Sequence, residues 1–262
     1  MHYSAAMHTQ PPALLLAAGR GERMRPLTDH TPKPLLQVQG RPLLEWHLQA
    51  LADAGVARAV INTAWLGERI SQRFSSHFGP QGAPGKRGQL SISYSHEGQD
   101  FGRALETAGG IARALPLLGG AVFWLAAGDV FAPDFRFDPE AARRFAAGGA
   151  LAHLWLVENP PHHPRGDFGL SPQGLVLNLP EGDARERFTY STIALLRVEL
   201  FAAPWCDIPA GNPEGLAAPL APLLRRAMDA GRVTAELYTG RWTDVGTPER
   251  LAALNATAPP QG

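Results

Sequence analysis

At 262 residues the chain is long enough to bury about 70–75% of its unfolded surface, so one large domain can fold without disulfides or a structural metal. Its 24 basic and 24 acidic residues cancel, which excludes the electrostatic footprint of a nucleic-acid or anionic-membrane binder. Cys206 is the single cysteine, which excludes a disulfide framework and a cysteine-based metal site, and no apolar run reaches the ~20 residues that span a bilayer. The expectation is a protein of small-molecule substrates in a reducing, cytoplasmic setting, with neither nucleic acid nor membrane as partner.

In chain order, residues 1–12 carry no apolar segment with a basic flank and are read as a disordered N-terminal extension. Residues 13–17 form a short continuous apolar run, the pattern of a parallel strand buried on both faces. A Gly-rich, Arg-rich turn follows. Pro42 opens a predicted helix over 42–54, with Leu43, Leu44, Leu48 and Leu51 as its apolar side and Gly55 as its stop. Next come a strand over 60–62, a helix over 66–74, a Gly/Pro-rich loop over 79–88 and a strand over 90–94. A helix opening near Thr107 leads to a strand over 122–126. Strands that alternate with helices predict a parallel α/β sheet. Beyond residue 150, strand-length runs at 151–157 and 189–197 flank a segment of loops and short hairpins, and helices are predicted over 219–230 and 248–256.

The run over 14–35, LLLAAGRGERMRPLTDHTPKPL, is the strongest chemical signal. Gly19 and Gly21 let the chain turn sharply and bring bare backbone N–H groups close to a ligand, which suits phosphate oxygens. Arg23 and Arg25 add guanidinium forks, and Lys33 stands between two prolines that stiffen its loop. Only Lys33 and Lys86 are lysines among the 24 basic residues, so position 33 is singled out as needing a compact point charge rather than a planar fork. Two familiar phosphate loops are excluded. A dinucleotide fingerprint needs glycine where Met24 stands, and no Gly-Lys-Ser/Thr follows the spacing of a Walker A loop.

Asp129 follows Gly128 at the end of the 122–126 strand, where open α/β sheets bind ligands. Asp244 lies in Trp242-Thr243-Asp244-Val245-Gly246-Thr247-Pro248, a strand-like stretch that turns into a helix. Two aspartates on separate loop tips suffice for Mg²⁺, which takes one or two carboxylates together with substrate phosphates and water; each could equally be a cap or turn residue. Glu106-Thr107-Ala108-Gly109-Gly110 offers a hydroxyl and backbone N–H groups for a base or sugar, or simply an N-cap with close packing. His162-His163-Pro164-Arg165 lacks a third ligand of matching spacing for zinc, and no Gly-x-Ser-x-Gly elbow supports a serine hydrolase.

Together, Leu16-Ala17-Ala18-Gly19-x-Gly21-x-Arg23-Met24-Arg25-Pro26-Leu27-Thr28, Pro32-Lys33-Pro34-Leu35, Gly128-Asp129 and the Asp244 segment resemble the signature of the sugar-1-phosphate nucleotidyltransferases. Within that superfamily the chain is most similar to the N-acetylmuramate-1-phosphate uridylyltransferases of bacterial cell-wall recycling. The closer likeness rests on Ile61-Asn62-x-Ala64-Trp65-Leu66-Gly67, on Leu105-Glu106-Thr107-x-Gly109-Gly110-Ile111 and on Asn159-Pro160-x-His162-His163-x-x-Gly166-Asp167-Phe168. Ala127 and Ala108 stand where an Asn and a Gly are familiar.

The resemblance implies one Rossmann-like α/β domain over 13–257, with a mainly parallel mixed sheet flanked by helices and no left-handed β-helix extension. Its nucleotide-binding half would cover about 13–130 and its sugar-binding half about 131–257. It implies in-line attack of a sugar 1-phosphate on the α-phosphorus of a nucleoside triphosphate, most similar to UTP with N-acetylmuramate 1-phosphate, in a monomer or small homo-oligomer. Arg23 and Lys33 would hold the triphosphate, Asp129 and Asp244 Mg²⁺, and Leu16, Ala17, Ala18, Gly19, Gly21, Thr107, Ala108 and Gly109 the nucleoside. Glu106, Asn159, His162, His163, Arg165 and Asp167 would face the sugar phosphate, with His162, His163 and Arg165 proposed for the lactyl carboxylate. Mannose-1-phosphate guanylyltransferases and glucose-1-phosphate thymidylyltransferases share the first motif and stay open as alternatives. A non-catalytic nucleotide-sugar sensor would be expected to lose Lys33 or an aspartate, and all three are present.

Overall fold

The structure is a computed structural model that describes residues 10–79 and 88–257. Residues 1–9 of the expected extension and 80–87 of the Gly/Pro-rich loop lie outside the described residues. Gln10 is tied to the domain: its amide donates to the Phe137 carbonyl at 2.8 Å, and the Pro12 carbonyl accepts from the Trp124 N–H at 2.9 Å.

Eight strands make one mixed sheet: β1 (Ala13–Ala17), β2 (Arg58–Thr63), β3 (His77–Phe78), β4 (Leu90–His96), β5 (Val122–Ala127), β6 (Ala152–Val157), β7 (Thr189–Arg197) and β8 (Val233–Leu237). Their spatial order is β8-β6-β7-β5-β1-β2-β4-β3. β1 pairs in parallel with both β2 and β5, so Leu15 stands between Ile61 and Ala126. β2 pairs in parallel with β4, whereas β7 runs antiparallel to both β5 and β6. A parallel sheet covered on both faces demands continuous apolar strands, and Leu14 and Leu15 are fully buried on opposite faces.

Helices α1 (Leu43–Asp53), α2 (Gly67–Phe74) and α3 (Glu97–Phe101) are followed by α4 (Glu106–Leu118), α5 (Pro139–Ala147), α6 (Ala221–Asp229) and α7 (Pro248–Ala256). Leu44, Leu48 and Leu51 of α1 pack on the Leu15 face with Phe145 of α5; Ile111 and Leu115 of α4 pack on the Leu14 face with Leu224 of α6. These two layers sandwich the sheet. Truncating any one of the fully buried leucines to alanine removes transfer free energy and leaves a cavity, a cost of about 2–5 kcal/mol. Among the described residues no helix is long and apolar enough to cross a membrane.

The expected mixed α/β sheet is present, and the segment between β6 and β7 holds a short hairpin, Gly169–Leu170 against Val176–Leu177. Helix α5 and strand β8 extend the expected list. Asp138 caps α5 by accepting from the Glu140 and Ala141 N–H groups, with Pro139 at the first helical position.

Candidate active site

The carboxyl ends of β1, β2 and β5 open on a cavity of 250 Å³ whose lining includes Leu16, Ala17, Ala18, Gly19, Lys33 and Asp129. Glu106, Thr107, Asn62 and Ala104 complete its far wall. This is the edge of an open α/β sheet at which ligands are expected. A larger cavity of 480 Å³ lies at the amino ends of β2 and β5, beside Arg58 and Val122, away from every motif identified above.

The phosphate loop is built by folding back on itself. Gly21 adopts a left-handed φ of 67°, and a Cβ there would sit 3.0 Å from Thr28 and 3.2 Å from Lys33, so the turn requires glycine. The Thr28 hydroxyl donates to the Gly21 carbonyl at 2.8 Å, and the Trp65 indole donates to the Thr28 carbonyl at 3.0 Å. Lys33 emerges from a short three-ten turn (Lys33–Leu35) and places its ammonium 2.6 Å from Asp129. Its side chain is 10% exposed while that of Asp129 is 40% exposed, so the carboxylate keeps a face open to the cavity. Arg23, on the three-ten turn Glu22–Met24, is exposed and outside the cavity lining, and the Arg20 guanidinium lies 4.7 Å from the Trp65 ring centroid.

The segments that carry the two expected carboxylates are joined by backbone, and of the two only Asp129 lines the 250 Å³ cavity. Val130–Phe131 pairs antiparallel with Thr243–Asp244, and the Val245 N–H donates to the Asp129 carbonyl at 3.0 Å. Gly128 allows the approach of β5 to β1, because a Cβ would lie 2.9 Å from the Leu16 carbonyl oxygen. Beneath this ribbon, buried His47 of α1 donates from Nε2 to the Val130 carbonyl at 2.9 Å; burial holds its pKa below the ordinary imidazole value. Asp244 Oδ2 lies 2.6 Å from Arg250, and Oδ1 lies 2.7 Å from His162 Nε2, a close contact without well-aligned hydrogen-bond geometry. His162 therefore reaches the Asp244 carboxylate. Two hard oxygen donors, one with a buried atom lacking an aligned donor, match what a small divalent cation takes alongside substrate phosphates. No cluster of three or more His, Cys, Asp or Glu able to hold a metal occurs among the described residues.

The far wall is held by a buried polar network. Asn62 Oδ1 accepts from the Ala17 N–H at 2.8 Å, Asn62 Nδ2 donates to Glu97 at 2.7 Å, and the second Glu97 oxygen accepts from the Leu105 N–H at 2.7 Å. One amide and one carboxylate thus join the ends of β1, β2 and α3 to the start of α4. Burial pushes the Glu97 pKa up, opposed by its two N–H donors and by Arg113. Glu106 sits at the mouth of α4 with φ of 56°, a left-handed conformation that costs a non-glycine residue about 1–3 kcal/mol and clusters at functional sites.

Ala108 and Gly109 depart from expectation. Both are buried in the body of α4, and their N–H groups donate to the Ala218 carbonyl at 2.8 and 3.2 Å, so these donors are used within the protein. Thr107 alone of the three lines the cavity.

A second cavity of 420 Å³ shares Leu16, Thr107 and Ala127 with the first and runs on to Asp167, Tyr190, Thr192 and Arg225. Thr192 has φ of 62° where β7 shifts register, an outlier for a β-branched residue, and this bulge turns the strand at the cavity wall. Asp167 accepts from the Tyr190 N–H at 2.8 Å and lies 3.1 Å from His163 Nε2. Asn159 serves as a loop staple: its amide donates to the Arg187 carbonyl at 2.8 Å and its oxygen accepts from the Thr189 hydroxyl at 2.9 Å. Arg165 is exposed and lines neither cavity.

Glu97, His47, Arg250, Tyr190, Thr192 and Arg225 were not singled out from sequence, and Asn62 entered only as part of the likeness over 61–67, without a site role. Asn62 carried a signal, as the one polar residue in the apolar Val60-Ile61-Asn62 run, and an amide placed there must find buried partners. The others depend on which elements pack together.

Residues 12–187 match the family described as Nucleotidyl transferase. The chain is 45% identical over 251 residues to the N-acetylmuramate alpha-1-phosphate uridylyltransferase of Neisseria meningitidis serogroup B, covering 94% of this chain and 97% of that protein. It is 34% identical over 254 residues to the protein of the same name from Caulobacter vibrioides, covering 93% and 95%. A solved Bacillus anthracis structure in complex with a sucrose, assigned as a glucose-1-phosphate thymidylyltransferase, superposes with a TM-score of 0.73 at 20% identity over 96% of both chains, a likeness of fold alone. The phosphate loop, the aspartate ribbon and this agreement along nearly the whole chain establish that the protein belongs to the nucleotidyl transferase family.

Proposed function

We propose that the protein transfers a uridylyl group from UTP to N-acetyl-α-D-muramate 1-phosphate, giving UDP-N-acetylmuramate and pyrophosphate in cytoplasmic peptidoglycan recycling. The observation that carries the reading is the 45% identity to the Neisseria uridylyltransferase over 94% of the chain. The acceptor phosphate is already a nucleophile: its oxygen forms a bond to the α-phosphorus of UTP as the bond to the bridging β-phosphate oxygen breaks. No side-chain base is needed, so the protein's part is positioning and charge neutralisation.

In this reading Lys33 and Arg23 neutralise the triphosphate, the Leu16–Gly19 backbone with Gly21 and Thr107 seats the nucleoside, and Glu106 closes the cavity mouth. Asp129 and Asp244 would hold Mg²⁺, which when bound supplies charge neutralisation of the phosphate oxygens. The 420 Å³ cavity takes the sugar, with Asp167 placed to accept its hydroxyls. Incubating the protein with UTP, N-acetylmuramate 1-phosphate and Mg²⁺, and identifying the product by mass spectrometry, tests the reading. UDP-N-acetylmuramate with release of pyrophosphate supports it; no product with this pair refutes it.

A further inference from the structure

We infer that Arg225 is the specificity-determining cation of the acceptor cavity and reads the lactyl carboxylate of the sugar phosphate, an inference that rests on the acceptor proposed above. Among the described residues, Asp167 and Arg225 are the only charged ones lining that cavity. They do not neutralise each other, because Asp167 is engaged by the Tyr190 N–H on one oxygen and by His163 on the other. Arg225 projects from α6 and is fixed at two points: Nη1 donates to the Asn178 oxygen at 2.5 Å, and the guanidinium lies 5.2 Å from the Phe168 ring centroid. No carboxylate pairs with it among the described residues. A half-buried guanidinium presents five N–H donors in a rigid fork, and here only Nη1 has a partner among the described residues.

The surroundings match an acidic sugar. Leu125, Leu220 and Leu224 give the cavity an apolar floor for methyl groups. Tyr190 lines the same cavity, and its buried hydroxyl has no hydrogen-bond partner among the described residues. Arg225 is not among the residues that the two cavities share, so it belongs to the sugar rather than to the phosphate at their junction. The residues that the sequence offered for this carboxylate do not line the cavity: His162 lies on Asp244, His163 on Asp167, and Arg165 outside both cavities. A planar fork against a carboxylate is the pairing in which arginine outperforms lysine.

The test compares two acceptors that differ only by the lactyl ether, N-acetylmuramate 1-phosphate and N-acetylglucosamine 1-phosphate, with UTP and Mg²⁺. In Arg225→Met, kcat/KM for the muramate acceptor should fall about 10- to 100-fold, chiefly through KM, as expected for a lost hydrogen-bonded charge pair. The glucosamine acceptor should change less than about threefold, the scale of a substitution that touches nothing essential. Arg225→Lys should lie between, keeping the charge but losing the fork. Calorimetric binding of UDP-N-acetylmuramate and UDP-N-acetylglucosamine gives the same comparison without turnover. A protein that prefers the muramate acceptor yet loses both acceptors equally in Arg225→Met overturns the inference and leaves the proposed function standing. A protein that treats the two acceptors alike before any substitution overturns both.

Discussion

The Val245 N–H donates to the Asp129 carbonyl at 3.0 Å, so the backbone segments that carry the two candidate metal-binding aspartates are held in register without help from the side chains. Each carboxylate has its own cation, Lys33 on Asp129 and Arg250 on Asp244. Either aspartate can therefore be changed without unzipping the Val130–Phe131 and Thr243–Asp244 ribbon. Asp129→Asn and Asp244→Asn should each retain the far-ultraviolet circular dichroism of the parent, require more Mg²⁺ for half-maximal rate and lose about 100-fold or more in kcat, the scale on which one electrostatic group in a transition state acts. A magnesium titration in which both variants follow the parent curve would remove the metal role.

Lys33 is mostly buried and meets Asp129 at 2.6 Å at the cavity edge. Lys33→Ala should lower kcat/KM for UTP about 100-fold or more. Lys33→Arg should not restore it, since the Lys33 side chain is only 10% exposed and its ammonium already meets Asp129 at 2.6 Å, where a planar fork is wider than an ammonium. Steady-state kinetics with varied UTP decides this, and full activity in Lys33→Arg would contradict the point-charge role.

Glu97 links pH to stability through the network that holds the cavity wall. Burial raises its carboxyl above the ordinary value, so the native state binds the proton more readily than the unfolded chain. That contribution is fully present below the unfolded value and is lost as pH rises through the folded value. Glu97→Gln abolishes the titration and turns an amide N–H₂ toward Asn62 Nδ2 or the Leu105 N–H, stranding a buried donor at a cost of about 1–3 kcal/mol. The parent's advantage in Tm over Glu97→Gln should be largest on the acid side of this window and shrink as pH rises. Thermal scans between about pH 4 and 8 measure it, and a difference constant with pH would contradict the assignment.

The turn at Gly21 gives a stability prediction of its own. Its left-handed backbone and the nearness of Thr28 and Lys33 mean that Gly21→Ala should cost about 1–2 kcal/mol and lower the apparent affinity for UTP. A variant equal to the parent in both denaturant midpoint and UTP dependence would show that the loop is free to rearrange.

What could be read from sequence was what is local in it. The strand 13–17, the turn through Gly21 and the position of Lys33 all lie within one short run, Asp129 directly follows Gly128, and Asp244 stands two residues before Gly246. Helix α5 has an equally local start, the Asp138 cap followed by Pro139. Ala108 and Gly109 looked like free backbone donors, since the Ala218 carbonyl that takes both arrives from a distant loop. Glu97 and Arg225 were illegible for the same reason: a charged residue on a short or amphipathic helix reads as surface until the fold shows what it faces. His162 was placed with the sugar by its neighbourhood in sequence, while the fold puts it on Asp244.

The central claim is tested most directly by kcat/KM for UTP, dTTP and GTP, each paired with the 1-phosphates of N-acetylmuramate, N-acetylglucosamine, glucose and mannose and followed by pyrophosphate release. The highest value should belong to UTP with N-acetylmuramate 1-phosphate; a higher value for any other pair would contradict the assignment, and no turnover with any pair would contradict catalysis itself.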